Sequence, residues 1–82
     1  MLTRFTPEDK ENIYAIDIIR DKENISKRYY ADSYIIVLEK EFQMLMLCDA
    51  KNKSFAFFNM KYLMQFDAHE ISRDLANRLR LK

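Results

Sequence analysis

Three short apolar runs dominate the hydrophobic pattern of the chain, and they follow one another closely in its middle. Each run has the length of a β-strand and is rich in β-branched, aromatic and long apolar side chains, and short charged or polar stretches separate them. The pattern therefore predicts a three-stranded antiparallel meander, with strands at about residues 34–39, 42–48 and 54–60.

The turns between these strands set the predicted register. Only polar residues separate the first two strands, which fits a tight turn, and Asn52 can adopt the left-handed conformation in the second turn. The predicted cross-strand pairs are Val37–Met44, Ile35–Met46, Met46–Phe57 and Cys48–Phe55.

Both faces of the meander are apolar in this register, whereas an antiparallel sheet with one wet face alternates apolar with polar residues. One face collects Ile35, Val37, Met44, Met46, Cys48, Phe55 and Phe57. The other collects Tyr34, Ile36, Leu38, Leu45, Leu47, Ala56, Phe58 and Met60. Each face therefore needs a covering element.

Helices are predicted on both sides of the meander. Residues 6–9 combine a threonine cap, a proline and two acids, and Ile13, Ile16 and Ile19 follow at steps of three, which is typical of an amphipathic helix. The sequence Asp-Ala-His-Glu at 67–70 is a capping box, and it predicts a final helix at about 68–81. Short optional helices are predicted at 25–31 and, capped by Asn59, at 60–66.

The predicted fold class is therefore α+β, with residues 1–82 forming a single small domain of N-terminal helix, three-stranded meander and C-terminal helix. An alternative makes residues 33–49 one helix and the whole chain an all-α helical bundle, because short apolar runs are ambiguous. The helical stripe in that alternative consists of Ile35, Leu38, Phe42 and Leu45.

The charge balance argues against several function classes. Fourteen basic residues stand against thirteen acidic ones, so no strong field draws the chain to nucleic acid or to an anionic membrane. The absence of glycine excludes glycine-rich phosphate loops, and the longest apolar run, residues 34–38, is far too short to span a bilayer. A lone cysteine and an N-terminus without a leader pattern predict a cytoplasmic protein that is not an integral membrane protein.

Catalytic chemistry is sparse in the sequence. His69, beside Asp67 and Glu70, is the single histidine, so it has no second histidine with which to build a metal or proton-transfer site. Cys48 lies in an apolar strand, where a thiol usually packs as a small hydrophobe. The prediction is that the protein is not an enzyme and has no catalytic, cofactor-binding or metal site.

Basic residues gather near the end of the chain and define an alternative function, that of a small nucleic-acid-binding regulator. The candidate contacts to phosphates are Arg73, Asn77, Arg78, Arg80 and Lys82. The same cations also complement the dipole of a helix C-terminus, and the chain lacks a strongly basic balance. Nucleic acid is therefore the less favoured partner.

The apolar surplus favours a different function. Apolar residues make up 49% of the chain and aromatic residues 13%, and a domain of this size buries only about 60% of its unfolded surface. Methionines and aromatics are typical of interface cores, and the predicted protein-interface residues are Met44, Met46, Phe55 and Phe57. We therefore expect a noncatalytic protein–protein interaction module that binds a protein partner, a second copy of itself, or both. Its predicted role is that of a small regulator, inhibitor or adaptor, of bacterial or phage origin.

Overall fold

The computed structural model describes residues 1–20 and 25–80. These residues form seven strands in two antiparallel sheets, a 3₁₀ turn at Met60–Tyr62, and one helix. The strands are β1 (Leu2–Phe5), β2 (Asn12–Arg20), β3 (Ser26–Ala31), β4 (Ser33–Leu38), β5 (Gln43–Cys48), β6 (Ser54–Asn59) and β7 (Leu63–Ser72), and the helix is α1 (Arg73–Arg80).

The two sheets pack against each other as a small sandwich. The four-stranded sheet has the order β1-β4-β5-β6, and the three-stranded sheet has the order β3-β2-β7. Side chains from the facing surfaces of both sheets form one buried cluster. Its members are Tyr14, Ile16, Ile18, Ala31, Leu45, Leu47 and Phe58.

The predicted α+β fold class is wrong, and so is the all-α alternative, because 62% of the described residues lie in strands. The predicted N-terminal helix is β2, the central strand of the three-stranded sheet. Ile13, Ile16 and Ile19 do recur at steps of three, but Tyr14, Ile16 and Ile18 recur at steps of two and enter the core. Both faces of β2 are buried, so the usual strand alternation of apolar and polar residues is missing.

The loop before β2 shows why the helix does not start at Pro7. The Asp9 carboxylate accepts a hydrogen bond from the Glu11 N–H at 2.9 Å, and the Asn12 N–H donates to the Asp9 carbonyl at 3.0 Å. An aspartate that bonds the backbone two residues on closes a local turn and competes with helical hydrogen bonding. The chain leaves this turn in an extended conformation, and the β-branched residues that follow lie in a strand.

The other helix predictions also need correction. Residues 25–31 contain β3, and only Met60–Tyr62 of the range 60–66 is helical, with the Asn59 side chain accepting from the Lys61 N–H. The capping box at 67–70 lies inside β7. The helix begins later, because the Ser72 hydroxyl accepts a hydrogen bond from the Leu75 N–H at 3.1 Å and provides the N-cap. Among the described residues, the helix therefore spans Arg73–Arg80 and not the predicted 68–81.

The meander itself is present, within a larger sheet than predicted. Strands β4, β5 and β6 lie close to the predicted bounds, and β1 adds a fourth strand beside β4. The pairs Val37–Met44, Ile35–Met46 and Met46–Phe57 are confirmed. The pair Cys48–Phe55 is wrong, because an irregularity after Leu47 sets Cys48 opposite Ser54.

The outer face of the three-stranded sheet is partly covered by α1, which contacts both β2 and β7. Ala76 of the helix is fully buried, as are Ile13 and Ala15 on the face of β2 that points away from the sandwich core. One sheet therefore has cover on both faces. No described helix covers the outer face of the four-stranded sheet, since α1 is the only helix in residues 1–20 and 25–80.

Candidate interaction surface

The outer face of the four-stranded sheet is apolar and partly open, since Ile35 and Cys48 on this face are buried while other apolar side chains remain exposed. Strand alternation sends Leu45 and Leu47 into the sandwich core and sends their neighbours outward. The outward apolar side chains form what we call the apolar patch, which consists of Leu2, Val37, Met44, Met46, Phe55 and Phe57. Phe55 is 49% exposed, Phe57 58% and Leu2 64%, so large apolar groups remain in contact with solvent.

One end of the same face is closed by a side chain of β1. Arg4 Nη1 donates to the Ser33 hydroxyl at 3.0 Å and to Asn52 Oδ1 at 3.2 Å, and so reaches across the sheet. Asn52 has φ of 63°, the left-handed conformation predicted for it. Ser33 and its cross-strand neighbour Cys48 are both buried beneath this end of the sheet. The apolar patch is therefore bounded on this side by polar groups.

The four predicted interface residues, Met44, Met46, Phe55 and Phe57, all belong to the apolar patch. Cross-strand register places Met46 beside Phe57, and the confirmed meander explains why these residues share one face. Sequence reasoning missed Leu2, because β1 is only four residues long and shows too little alternation to be recognised. Val37 was assigned to the correct face but not to the interface.

An apolar surface of this kind has a physical meaning. Scattered exposed apolar residues are normal, but a contiguous patch with polar groups at its border is typical of an interaction surface. In this part of the molecule, the described residues place methionine and aromatic groups together, with Arg4 and Asn59 at the margin. The patch offers adaptable apolar contact and no charge of its own.

The candidate nucleic-acid contacts are divided between different environments. Arg73 Nη1 lies 2.8 Å from Asp32 Oδ1. Arg80 donates to the Tyr30 carbonyl at 3.3 Å, and its guanidinium carbon lies 5.3 Å from the centre of the Tyr30 ring. Asn77 and Arg78 are exposed on α1, and Lys82 lies outside the described residues. Two of the five groups are thus held by contacts inside the domain.

A row of titratable side chains crosses the outer face of the three-stranded sheet. Asp17 lies between Arg28 on β3 and Asp67 on β7, and His69 is the next outward residue along β7. Arg28 binds Asp17 with two hydrogen bonds, at 2.8 and 3.0 Å, and this contact lowers the pKa of the Asp17 carboxyl. One carboxylate oxygen each of Asp17 and Asp67 and one ring nitrogen of His69 lie within 4.8 Å of one another.

This row is better described as an ion-pair network than as a metal centre. Both oxygens of Asp17 accept hydrogen bonds from Arg28, so a cation would have to displace a bidentate ion pair. His69 Nδ1 is 4.0 Å from Asp67 Oδ2, and both side chains are well exposed. The arrangement fits an ion-pair ladder on a sheet surface, in which Arg28 offsets two facing carboxylates.

We expect Arg28→Met to destabilise the domain modestly, by about 0.5–1 kcal/mol at pH 7, because it leaves Asp17 and Asp67 opposed without a cation. Asp17 has a lowered pKa in the folded state, so its stabilisation is present above its unfolded value near pH ~4 and is lost as pH falls through the lower folded value. The difference between wild type and variant should therefore vanish in acid. Urea titrations at several pH values measure it, and a difference that does not shrink as the pH falls below ~4 would contradict the assignment.

The two candidate catalytic groups differ in how far they are exposed to solvent. His69 is exposed on β7, whereas Cys48 is only 1% exposed in the four-stranded sheet. A buried thiol is poorly placed to attack a substrate. The expectation that the protein is not an enzyme stays a prediction.

Comparison of the chain with protein-family models, with curated proteins and with solved structures finds no match. Within residues 1–20 and 25–80, the single short helix could not cross a membrane.

Proposed function

We propose that this chain is a noncatalytic protein-interaction module, and that its copies associate through the apolar patch on the outer face of the four-stranded sheet. One observation carries the proposal: Leu2, Phe55 and Phe57 stay 49–64% exposed beside the half-buried Val37, Met44 and Met46, on a face that no described helix covers. The outer face of the three-stranded sheet, by contrast, is partly covered by α1.

The expected strength of this association follows from the exposed rings. Fully burying a phenylalanine side chain contributes ~1.5–3 kcal/mol, and about half of Phe55 and Phe57 is still exposed. Each ring therefore has roughly 1 kcal/mol left to gain, and two copies contribute four rings. Association itself costs at least ~4 kcal/mol of lost rotational and translational freedom, which the four rings alone only offset. The net affinity must come from the other exposed groups of the apolar patch, such as Leu2, so we expect a weak, reversible dimer rather than an obligate one.

The charge distribution favours a second copy as the partner. The net charge is +1, so two copies repel each other very little at a distance. The apolar patch carries no charged side chain, and a charged partner surface would leave its charges buried and unpaired against it. A surface that is apolar and neutral is complementary to itself.

We expect Phe57→Asp to abolish association, because it would bury a carboxylate among apolar groups. Sedimentation velocity over a concentration series measures this, with an expected loss of affinity of at least ~100-fold. The matched control is Met64→Asp, which places the same charge at a residue that is 62% exposed on β7. The proposal fails if Phe57→Asp associates as wild type does, or if Met64→Asp dissociates equally.

A further inference from the structure

We propose that the two copies join by strand addition: β6 of one copy pairs antiparallel with β6 of the other about a two-fold axis. The two four-stranded sheets then form one continuous eight-stranded sheet. This inference rests on the proposed function, since it requires self-association, and it adds the geometry of the contact. A strand at the edge of a sheet recruits another strand through its unpaired backbone groups.

The four edge strands of the sandwich differ in how they are protected. The edges are β1 and β6 in the four-stranded sheet, and β3 and β7 in the three-stranded sheet. Charged residues protect an edge from pairing with another chain. Arg4 lies on β1, Lys27 and Arg28 lie on β3, and Asp67 and Glu70 lie on β7. Strand β6, with the sequence SFAFFN, has neither a charge nor a proline.

The side of β6 to which each backbone N–H and C=O group points follows from the hydrogen bonds of the neighbouring hairpin. The Glu39 N–H donates to the Phe42 carbonyl at 2.9 Å, so residues 42, 44 and 46 turn their backbone groups toward β4. Leu45 and Leu47 then turn theirs toward β6, where they pair with Phe58 and Ala56.

The residue between that pair must face the other way. Because backbone groups alternate along an antiparallel strand, the N–H and C=O of Phe57 point out of the sheet at the open edge. No described strand pairs with this side of β6. Phe57 therefore offers both an unpaired donor and an unpaired acceptor to an incoming strand, beside one of the most exposed aromatic rings in the molecule.

Pairing of β6 with its own copy matches side chains as well as backbone. A two-fold axis near Ala56 and Phe57 sets the Phe55 and Phe57 rings of one copy beside those of the other on the outer face. Cross-strand aromatic pairs of this kind stabilise a sheet. No like charges meet within the paired strands, because β6 itself carries none. The apolar patches of the two copies therefore meet along β6, and the contact covers the Phe55 and Phe57 rings at this side of each patch.

The size of this contact predicts its strength. Six paired residues extend over roughly 20 Å, so the contact covers about half of the ~800 Å² per partner of a standard interface. A weak dimer is the expected outcome, in agreement with the estimate from the exposed rings. Stacking of the two outer faces is the competing geometry, and it would leave the Phe57 N–H unpaired.

The Phe57 amide of the intact 82-residue chain reports directly on strand addition. Amide hydrogen exchange, followed by NMR at dilute and concentrated protein, should show Phe57 unprotected in the monomer and at least ~10-fold protected in the dimer. Arg4 is the internal control, because strand alternation turns its N–H to the opposite edge of the same sheet, where the β6 contact leaves it unpaired.

A backbone variant makes the test independent of side chains. Total synthesis of the chain with N-methyl-Phe57 removes one hydrogen and keeps the ring, and N-methyl-Arg4 makes the same change on the β1 edge. We expect the first to lose the dimer and the second to retain it. If wild type forms a dimer in which the Phe57 amide stays unprotected and N-methylation has no effect, strand addition is overturned while self-association stands. If wild type never associates, both proposals fail.

Discussion

Replacing Ile16 with alanine is expected to lower the free energy of unfolding by about 3–4 kcal/mol, the largest single effect in this domain. Ile16 is fully buried at the centre of β2 and belongs to the cluster that joins the two sheets. The substitution removes three carbons and leaves a cavity that a two-layer sandwich cannot easily fill. Small domains are stable by only ~5–10 kcal/mol, so the loss is a large fraction of the total.

Urea unfolding followed by circular dichroism measures this effect at one fixed protein concentration, since dimerisation adds a concentration-dependent term. The matched control is Ile25→Ala, because Ile25 is 69% exposed and its loss should change stability by less than ~0.5 kcal/mol. Equal changes in the free energy of unfolding at both positions, or no change in Ile16→Ala, would contradict the sandwich core.

Tyr34→Ala is expected to cost about 3 kcal/mol, because Tyr34 holds the two sheets together at one end of the sandwich. Its ring stacks on Phe5 of β1 at 4.8 Å between centroids. It also meets Tyr14 at 4.8 Å and Phe66 at 6.2 Å, edge to face, from the opposite sheet. Removing the ring therefore breaks contacts in three strands at once.

Two further variants separate the contributions to that effect. Tyr62→Ala is the control for loss of an aromatic ring, since Tyr62 is 59% exposed and should change stability little. Burial raises the pKa of Tyr34, so the neutral phenol favours the fold and its contribution is lost as pH rises above ~10. Tyr34→Phe should reduce this alkaline loss and leave neutral stability nearly unchanged. A ring deletion without effect would contradict the aromatic contact between the sheets.

The meander could be predicted because its signals are local. The turn chemistry around Asn52 and the length of each apolar run are properties of a few adjacent residues, and they fixed three of four cross-strand pairs. The fourth predicted pair, Cys48–Phe55, is wrong, because the register irregularity that sets Cys48 opposite Ser54 has no signature in the hydrophobic pattern of the sequence. The interface residues followed from the register, since alternation alone assigns a face.

The helix predictions are wrong because tertiary packing, rather than local sequence, decides the structure of these segments. Strand β2 is buried on both faces, so its residues 13–19 satisfy a helical spacing and a strand spacing equally well. The capping box at 67–70 is likewise overridden, because β7 pairs along the whole length of β2. Its apolar residues Phe66 and Ala68 pack on the core and fix the strand. The true cap, Ser72, becomes recognisable only once β7 is known to end there.

Sedimentation of the unmodified chain across a concentration series is the most direct test of the proposed self-association. We predict a reversible monomer–dimer equilibrium with a dissociation constant between ~100 μM and ~1 mM, that Phe57→Asp removes and Met64→Asp retains. A monomer at every concentration up to ~500 μM would contradict this proposal, because the Phe55 and Phe57 rings and the unpaired edge of β6 would then be stable in water without a second copy.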